Sequence, residues 1–586
     1  MTRKNIFCLV VDAMSFAYMH DDYGTTPFIN RIASQGHSCV NMFSQGPYTE
    51  AALTPFYTGA DNMDFGGNFF RGNETPKTIF EAFNENGYDV LNYTQPLIYP
   101  TTMHRGINEE RYGVGYFFSA VYDYRINYYA SLFEKGELRD IDYCRLFELL
   151  ESNFAFWLQY LKECRDQKPV ADFVNTYGKR DYDFDRNIQK VEYEYKCYRT
   201  DKMAYLHELF RQGMNHPVFA IEKYDMSNKA DNDFVYNRIA KSYASFFRKL
   251  KKFNKRHNRG YVLGAIDRVC RAALRVSKTG VYNELKKFYY FLKVCDTEKE
   301  IDTLFQKKSN YKPEPTMLEY FAHFQNWYQR KDAQNPFFCM MHVSDLHTPE
   351  IFFSIDSNSV EEVEAELQVM SDYLDSLPDD FEGNVVYNLS MRYVDLCLEK
   401  MYERMEKMGI LDNTVLHITA DHGSSFRYSP IRETLVNNDY AENYNIPCIL
   451  YKPGEIVPCV DTCFHTTKDM IKTLAVIADV DWEGFTGTNI IEPQKSNGYA
   501  IVEYMGSGCP DLSRKPLCMV IRNDDWTLGI RQNINGEFNT SNIVCVYNRR
   551  NDPKEQNNLL GKVDLEIVRS LHEVLRCRFE RIREQA

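Results

Sequence analysis

The residues best suited to chemistry come directly after apolar runs of the chain. Asp12 follows the run at 5–11, and Asp421 and His422 follow the run at 415–419. Two carboxylates and an imidazole form a ligand set that suits Mn²⁺, Zn²⁺, Mg²⁺ or Ca²⁺. A single aspartate at such a point is more often a turn residue or a helix cap, but the three groups together predict a site for one divalent ion.

Further candidate ligands lie in and after the apolar run at 337–343. Asp345 and His347 follow it and could form part of a second metal site, although the sequence offers no complete second ligand set. His342 and His417 lie inside apolar runs. We expect each of these two to be a buried core histidine with satisfied hydrogen bonds rather than a ligand.

These residues need a scaffold that brings the ends of separate segments together. Continuous apolar runs predict buried parallel strands, and amphipathic stretches between them predict helices. Such alternation indicates an α/β doubly wound sheet, in which ligands bind beyond the carboxyl ends of the strands. Strands are predicted at 5–11, 88–91, 337–343, 415–419 and 447–451, and helices at 27–35, 78–86 and 388–409.

The alternating pattern is interrupted in the middle of the chain and changes again near its end. Residues 119–314 are rich in Tyr, Phe, Lys and Arg, and they predict a helical insertion that acts as a lid or docking element. The α/β core then comprises 1–118 and 315–500. Short strands with turns predict a small antiparallel β subdomain with a terminal helix at 501–586.

Charge is distributed unevenly along the chain. The formal net charge of −13 argues against general nucleic-acid binding, which needs a basic face. A basic run nevertheless extends from Arg248 to Arg256 within the insertion. The simpler interpretation of this run is a solvated helix face. The alternative is a peripheral contact of 248–259 with an anionic polymer or membrane surface.

Length and composition limit the class of protein. The chain of 586 residues is too long for one core, and its 44% hydrophobic content predicts packed domains rather than disorder. No run approaches the roughly 20 apolar residues of a membrane span, and we find no signal peptide at the N-terminus. The 16 cysteines are scattered, so we expect free thiols and a cytoplasmic location.

Several segments with characteristic sequences occur in a fixed order along 1–118 and 315–560. They are 26–36, 335–338 leading to His347-Thr348-Pro349, 409–414 before Asp421-His422-Gly423, 440–447 with Pro453-Gly454, and 546–548 with 552–555 and 558–559. Together they resemble the sulfatase family of the alkaline phosphatase superfamily. The resemblance implies an alkaline-phosphatase-like fold and a metal-dependent enzyme, and it does not cover the insertion.

The resemblance also implies a nucleophile. The family places it ten residues before a Thr-Gly pair that ends a short helix, and here that position is Thr49. A helix N-terminus carries partial positive charge, which favours an alkoxide and a bound anion, whereas the simpler interpretation makes Thr49 an N-cap. By resemblance, Asp12, Asp421 and His422 hold an ion that contacts the Thr49 oxygen. His347 would contact the substrate anion or protonate the leaving group.

The chain departs from the family at two cations of the anion pocket. Sulfatases carry an arginine four residues after the nucleophile, where this chain has Leu53. They also carry a lysine after the strand at 88–91, where this chain has Thr94 or Gln95. The substitutes that the sequence offers are His104, Arg105, Arg427 and Arg432.

Residue 49 also bears on the reaction. Sulfatases use an aldehyde made from Cys or Ser within a Cys-x-Pro-Ser-Arg pattern, where this chain reads Thr49-Glu50-Ala51-Ala52-Leu53. A threonine alkoxide suits phosphorus, because water can attack a phospho-threonine and restore the hydroxyl. We therefore expect a phosphodiesterase or phosphotransferase that acts on a phosphorylated glycan, a lipid head group, or a small phosphoester or phosphonate ester.

Two alternatives stay open. One is a sulfuric ester hydrolase of the sulfatase family. The other is an inactive module that keeps the fold and binds a polymer through the basic insertion, although retention of all the inferred metal ligands argues against it. A threonine nucleophile also occurs in the related phosphoethanolamine transferases and lipoteichoic acid synthases, which carry membrane helices.

Overall fold

The computed structural model describes the greater part of the chain. Among these residues no helix has the length and apolar character needed to cross a bilayer. The described residues are 3–19, 23–64, 76–94, 105–112, 117–166, 183–219, 242, 244–253, 317–331, 335–347, 360–378, 381, 384–424, 441–480, 482, 484–492, 498–505, 512, 515–553, 555 and 557–585.

An eight-stranded sheet lies at the centre of the described structure. Its strands are β1 (Asn5–Val11), β2 (His37–Phe43), β3 (Asp89–Thr94), β4 (Glu109–Tyr112), β5 (Phe337–Val343), β6 (Thr414–Thr419), β7 (Cys448–Tyr451) and β8 (Cys459–Thr466). Their order is β4-β3-β5-β1-β6-β7-β2-β8. All pairings are parallel except those of β7 with β6 and β2. The expected α/β architecture is confirmed.

The middle of the sheet aligns the carboxyl ends of β5, β1 and β6. Val10 lies opposite His342 of β5 on one side and Thr419 of β6 on the other. The Asp12 N–H donates to the Val343 carbonyl at 2.9 Å, which continues the alignment past the end of β1. Residues that directly follow these three strands therefore meet at one edge of the sheet.

Helices cover the sheet and form most of the described insertion. They are α1 (Phe16–Met19), α2 (Pro27–Gln35), α3 (Thr49–Thr58), α4 (Ile79–Glu85), α5 (Phe117–Glu134), α6 (Asp140–Asp166), α7 (Phe184–Thr200), α8 (Lys202–Gln212), α9 (Met317–Arg330), α10 (Val360–Ser376), α11 (Val385–Lys407), α12 (Ala441–Tyr444), α13 (Thr467–Ile477) and α14 (Arg569–Gln585). Short 3₁₀ turns lie at Gly213–Asn215, Pro217–Phe219, Ile410–Asn413, Thr540–Asn542 and Leu565–Val568.

The start of α2 shows how one core helix fixes another. Thr26 precedes the helix without a side-chain cap, and Pro27 occupies a first-turn position where no N–H partner is needed. The carboxylate of Asp395, on α11, accepts from the N–H of Phe28 at 3.1 Å and of Ile29 at 2.8 Å instead. An acidic group at a helix N-terminus is favourable, so this contact anchors α2 against α11.

The insertion contains a helical core of its own. Apolar side chains of α5, α6, α7 and α8 pack together in a cluster that is separate from the cluster around the sheet. The helical segment 244–253 does not contribute to this separate cluster, because Phe246, Phe247 and Leu250 pack into the cluster around the sheet. This part of the predicted insertion therefore packs on the α/β core instead of standing apart from it.

The basic run within that segment is partly committed to structural contacts. The Lys249 ammonium donates to the Ser371 carbonyl at 2.9 Å and to the Ser371 hydroxyl at 2.7 Å, and it pairs with Asp375. Residues 254–259 lie outside the described part of the chain. The contacts of Lys249 therefore favour the simpler interpretation of the basic run as a helix face. They weigh against the alternative that this run binds an anionic polymer or membrane surface.

A separate antiparallel sheet follows the core, as expected. Its strands are β9 (Ala500–Tyr504), β10 (Leu517–Arg522), β11 (Trp526–Gln532) and β12 (Ile543–Asn548), in the order β12-β11-β10-β9. Apolar side chains of α14 pack with those of this sheet in one cluster.

One buried arginine joins α14 to the rest of the molecule. Arg578 Nε donates to Glu503 Oε2 at 2.8 Å, and its Nη1 donates to Asp64 Oδ1 at 2.6 Å. The Arg578 and Glu503 side chains are only 5% and 2% exposed. Removing one partner of such a buried pair leaves the other charge without compensation.

Arg578→Met should therefore lower the free energy of unfolding by about 3–5 kcal/mol, measured by urea unfolding followed through tryptophan fluorescence. Arg576→Met is the matched control, because Arg576 lies on the same helix and pairs with Glu573 at the surface. We expect no measurable change for the control, since surface ion pairs contribute little. Equal shifts in both variants would contradict this account of α14.

Candidate active site

The ends of β1, β5 and β6 bring three ionisable side chains into one buried cluster. Asp12, His342 and Asp421 are each 0% exposed. His342 Nε2 lies 3.8 Å from Asp12 Oδ2 and 3.5 Å from Asp421 Oδ2. One possible ligand atom from each residue lies within 4.8 Å of the others. Two carboxylates and an imidazole at this spacing can surround a single cation.

His422 adds a further donor to this cluster. Its Nε2 lies 3.4 Å from Asp12 Oδ1 and 3.6 Å from Asp421 Oδ2. Its Nδ1 lies 2.7 Å from the Gly423 carbonyl oxygen, which can only accept, so Nδ1 carries a proton and donates it. Nε2 then presents its lone pair to the carboxylates, which is the usual arrangement of a metal-binding histidine.

Asp421 is oriented by the backbone around it. Its Oδ1 accepts from the N–H of His422 at 2.7 Å and of Ala13 at 3.2 Å. Burial raises the pKa of Asp421, but the rings of His422 and His342, when protonated, and the hydrogen bond from the His422 N–H outweigh it, so the net shift is downward. Within the described residues, Asp421 Oδ2 makes no hydrogen bond. A buried carboxylate oxygen of this kind is costly unless it meets a cation, so the residues fit a divalent ion.

The turn after β1 is held in an uncommon conformation. Ala13 has φ +63°, in the left-handed region that non-glycine residues rarely adopt. The Tyr387 hydroxyl, on α11, donates to the Ala13 carbonyl at 2.7 Å and accepts from the Ser15 N–H at 3.3 Å. These bonds offset the strain and aim the Ala13 N–H at Asp421.

Thr49 is the first residue of α3 and lies beside the cluster. Its Oγ1 is 3.5 Å from Asp12 Oδ2 and 3.3 Å from His422 Nε2. The N-cap residue is Tyr48, whose side chain makes no capping bond. Thr49 is therefore not an N-cap, and its hydroxyl faces the candidate metal ligands at the positive end of the helix.

Two glycines permit close approaches around these residues. A Cβ at Gly46 would lie 2.4 Å from the Ala51 Cβ, so only glycine lets the chain turn so tightly into α3. A Cβ at Gly423 would lie 1.9 Å from the Glu442 carbonyl oxygen. The glycine after His422 is thus required by packing.

Comparison with known proteins agrees with this geometry. The sequence profile of the sulfatase family matches residues 4–170 and 275–480, well over half of the chain. The match extends into both ends of the segment 119–314, so the expectation that the resemblance leaves this whole segment uncovered is wrong. The chain belongs to the sulfatase family. It is thus a member of a family of hydrolases within the alkaline phosphatase superfamily, as the sequence segments predicted.

One curated relative that this sulfatase-family chain resembles is named as a sulfatase. An endo-4-O-sulfatase from Bacteroides thetaiotaomicron is 30% identical over 155 residues, which cover 25% of this chain and 29% of that protein. The chain thus matches less than a third of the length of that relative.

Solved structures also align along the whole chain. A phosphonate monoester hydrolase from Silicibacter pomeroyi is 12% identical, with 99% of this chain and 96% of that chain covered and a TM-score of 0.48. A protein solved in complex with its substrate D-glucosamine-2-N,6-O-disulfate is 13% identical, with 100% and 99% covered and a TM-score of 0.46. An alkaline phosphatase superfamily protein from Vibrio parahaemolyticus is 11% identical, with 100% and 86% covered and a TM-score of 0.44.

The position of His342 corrects the expectation that it is a core histidine outside the site. His342 is the penultimate residue of β5, so its ring reaches the edge where the ligands meet, and its Nδ1 lies 3.5 Å from Thr94 Oγ1. His417 lies in the middle of β6, with its ring 3.1 Å from Cys8 Sγ and 3.7 Å from Cys448 Sγ. Both histidines have apolar neighbours in the sequence, so the sequence does not distinguish a histidine near the end of a strand from one in its middle.

The residues that follow β5 are not drawn into the cluster. Asp345 accepts from the Met317 N–H at 3.1 Å and so caps α9, which weighs against a role in a second metal site. His347 is exposed, and its backbone N–H donates to the Ser344 carbonyl at 3.0 Å. Its predicted contact with substrate stays a prediction.

The predicted substitutes for the missing cations are placed differently. Arg105 Nε donates to Glu81 Oε1 at 2.9 Å, and its Nη2 donates to the Pro76 carbonyl at 2.9 Å. These contacts fix the start of α4 and commit the guanidinium to structure. His104, Arg427 and Arg432 lie outside the described residues.

A cation that the sequence did not single out lies close to Thr49. Arg125, on α5 of the insertion, is 5% exposed and its guanidinium pairs with Glu50, the residue after Thr49. Burial lowers the pKa of Arg125 to about 10, so it stays charged at neutral pH. Nothing in the local sequence marks this residue, because its partner is 75 positions away.

His342→Gln should weaken Mn²⁺ binding by about 10-fold or more, because a mononuclear site loses much of its affinity with one donor. Asp421→Ala should do the same. His417→Gln is the matched control, because His417 is a buried histidine of the same sheet whose ring lies beside the thiols of Cys8 and Cys448, and it should keep wild-type affinity. Titration followed by electron paramagnetic resonance of free Mn²⁺ measures this. Equal losses in His342→Gln and His417→Gln would remove His342 from the ligand set.

Proposed function

We propose that this sulfatase-family chain is a metal-dependent hydrolase or transferase of phosphoric or phosphonate esters that uses Thr49 as its nucleophile. The observation that carries the proposal is the position of Thr49 Oγ1, 3.5 Å from Asp12 and 3.3 Å from His422. Candidate substrates are phosphorylated glycans, lipid head groups and small phosphoesters or phosphonates.

Each side chain has a task in this reaction. Asp12, His342, Asp421 and His422 would hold a divalent ion, which supplies Lewis-acid stabilisation of the ester anion and activation of a nearby hydroxyl. Asp12 Oδ2 and His422 Nε2 lie close enough to accept the Thr49 hydroxyl proton. Thr49 is the first residue of α3, and the partial positive charge of a helix N-terminus would favour an anion bound in front of its hydroxyl.

Threonine at this position favours phosphorus over sulfur. The Thr49 oxygen attacks phosphorus while the bond to the leaving alcohol breaks, and water or an acceptor alcohol then attacks the phospho-threonine and restores the hydroxyl. A sulfatase instead expels sulfate by elimination to an aldehyde. A secondary alcohol can be oxidised only to a ketone, so Thr49 closes that route.

A sulfuric ester hydrolase is the second candidate. The match to an endo-4-O-sulfatase supports this alternative, and the comparisons favour it over a phosphoesterase. Such an enzyme would have to release sulfate without the aldehyde. The threonine at position 49 thus favours a phosphoric or phosphonate ester, whereas the named relative favours a sulfuric ester.

Thr49→Ala should lower turnover of an aryl phosphodiester or aryl phosphonate by about 10³-fold or more, and Thr49→Ser should keep part of the activity because it retains a hydroxyl. The assay compares aryl phosphate, phosphonate and sulfate esters with several divalent ions. Peptide mass spectrometry after incubation should find a phosphoryl adduct on Thr49. Turnover of aryl sulfates alone would establish the second candidate, and metal binding without any turnover would establish an inactive module.

The Arg125–Glu50 pair provides a test of the insertion. Arg125→Met removes the guanidinium partner of the Glu50 carboxylate beside an anionic substrate, so kcat/KM for a small ester should fall by about 10-fold or more. The double variant Arg125→Met/Glu50→Gln removes both charges and should recover most of the loss.

Lys249→Met, elsewhere in the insertion, is the control and should leave turnover intact. If the double variant is as impaired as Arg125→Met, the guanidinium acts on the substrate directly rather than through Glu50. An unimpaired Arg125→Met would make the insertion dispensable for small esters.

A further inference from the structure

A second group of metal-binding side chain types lies on the outermost pair of strands. His37 and Cys39 belong to β2, and Asp461, Cys463 and His465 belong to β8. In both strands the residues are spaced by two, which favours a common face. None of them belongs to the cluster beside Thr49. Thr49 follows the carboxyl end of β2 in the chain, whereas His37 is the first residue of that strand.

Asp461 is the residue at which the two strands meet. Its Oδ2 lies 2.9 Å from His465 Nε2 and 3.4 Å from His37 Nε2, and its Oδ1 accepts from the Cys463 N–H at 2.7 Å. Possible ligand atoms of Asp461, Cys463 and His465 lie within 4.8 Å of one another, as do those of His37, Cys39 and Asp461. Ligand atoms around a tetrahedral zinc ion lie roughly 3.3–3.7 Å apart. The two groups share Asp461, so side-chain rotations around this residue would have to bring His37 within reach of the ion that Cys463 and His465 hold.

The strand pairing explains how the cluster forms. Strands β2 and β8 are parallel, with Cys39 opposite Asp461, and the register shifts before Asn41 pairs with Phe464. The extra residue in β8 is a bulge, which bends the strand and re-aims its side chains. Asp461 and His465 consequently meet although they are four positions apart.

The side chains are enclosed but reachable from solvent. His37, Asp461 and His465 are 9%, 12% and 10% exposed, and together with Cys463 they line a cavity of about 740 Å³. His37 Nε2 is buried and makes no hydrogen bond within the described residues, although it lies near the carboxylate. Cys39 is wholly buried behind the group, which makes Cys463 the thiol that an incoming ion would meet.

We propose that His37, Asp461, Cys463 and His465 bind one Zn²⁺ ion at a site separate from the candidate active site. Two imidazoles, a thiolate and a carboxylate form a donor set of borderline softness that suits zinc. The ion would join β8, the edge strand, to β2 and so stabilise the edge of the sheet. This inference is independent of the proposed function.

Cobalt provides a spectroscopic test on the full-length protein. After removal of metals by chelation, Co²⁺ should produce a thiolate charge-transfer band in the near ultraviolet, with an intensity that corresponds to one thiolate-bound ion per chain once both this site and the candidate active site are filled. The ligands beside Thr49 include no thiol, so the band reports the β2–β8 site alone. Cys463→Ser should abolish the band, and His37→Gln and His465→Gln should each weaken Co²⁺ affinity by about 10-fold or more.

Two matched variants should keep the band. Cys459→Ser replaces an exposed cysteine of the same strand, and Asp421→Ala disrupts the other cluster. In Asp421→Ala, which disrupts the other cluster, Zn²⁺ should raise the Tm by mass action, and this rise should be lost when Cys463→Ser is added; circular dichroism verifies that each variant is folded. Absence of the band in the wild type, or its survival in Cys463→Ser, would overturn the proposal. If Cys463→Ser does not fold, unchanged Co²⁺ affinity in both histidine variants would overturn it.

Discussion

The burial of two carboxylates side by side is the constraint on which the rest of the structure depends. Asp12 and Asp421 are wholly buried, and both lie within 3.6 Å of His422 Nε2. Like charges removed from water repel each other and lose their hydration, so they persist only opposite positive charge. The sheet therefore presents them together with His342 and His422, and rigid strands keep the four donors in place. A divalent ion would complete the balance.

Membership of the sulfatase family and the identity of residue 49 bear on different parts of the function. The family match places the chain among the hydrolases of the sulfatase family. The nucleophile decides which central atom is attacked, because release of the covalent intermediate differs for sulfur and phosphorus. Thr49 lies where the candidate metal ligands and the N-terminal end of α3 would serve either proposed reaction, so the scaffold alone does not discriminate between the esters.

The fold could be predicted from the sequence where elements are buried along their whole length. The runs at 5–11 and 337–343 became β1 and β5 with the predicted bounds, because a continuous apolar run suits a parallel strand that is covered on both faces. Strands β2 and β8 were not predicted. Both mix polar residues with apolar ones, and β8 forms the edge of the sheet, where only one side is paired and the apolar signal is weak.

For the site, the sequence by itself determined which residue types end the central strands. Asp12, Asp421 and His422 could be selected because each follows an apolar run, and parallel strands end at a common edge. Only the tertiary structure decided that His342 joins them and that Arg125 reaches the start of α3. A strand histidine has the same sequence surroundings whether it lies mid-strand or at the edge, and an ion pair between distant segments leaves no local pattern. Register and packing, which no single segment encodes, supply that information.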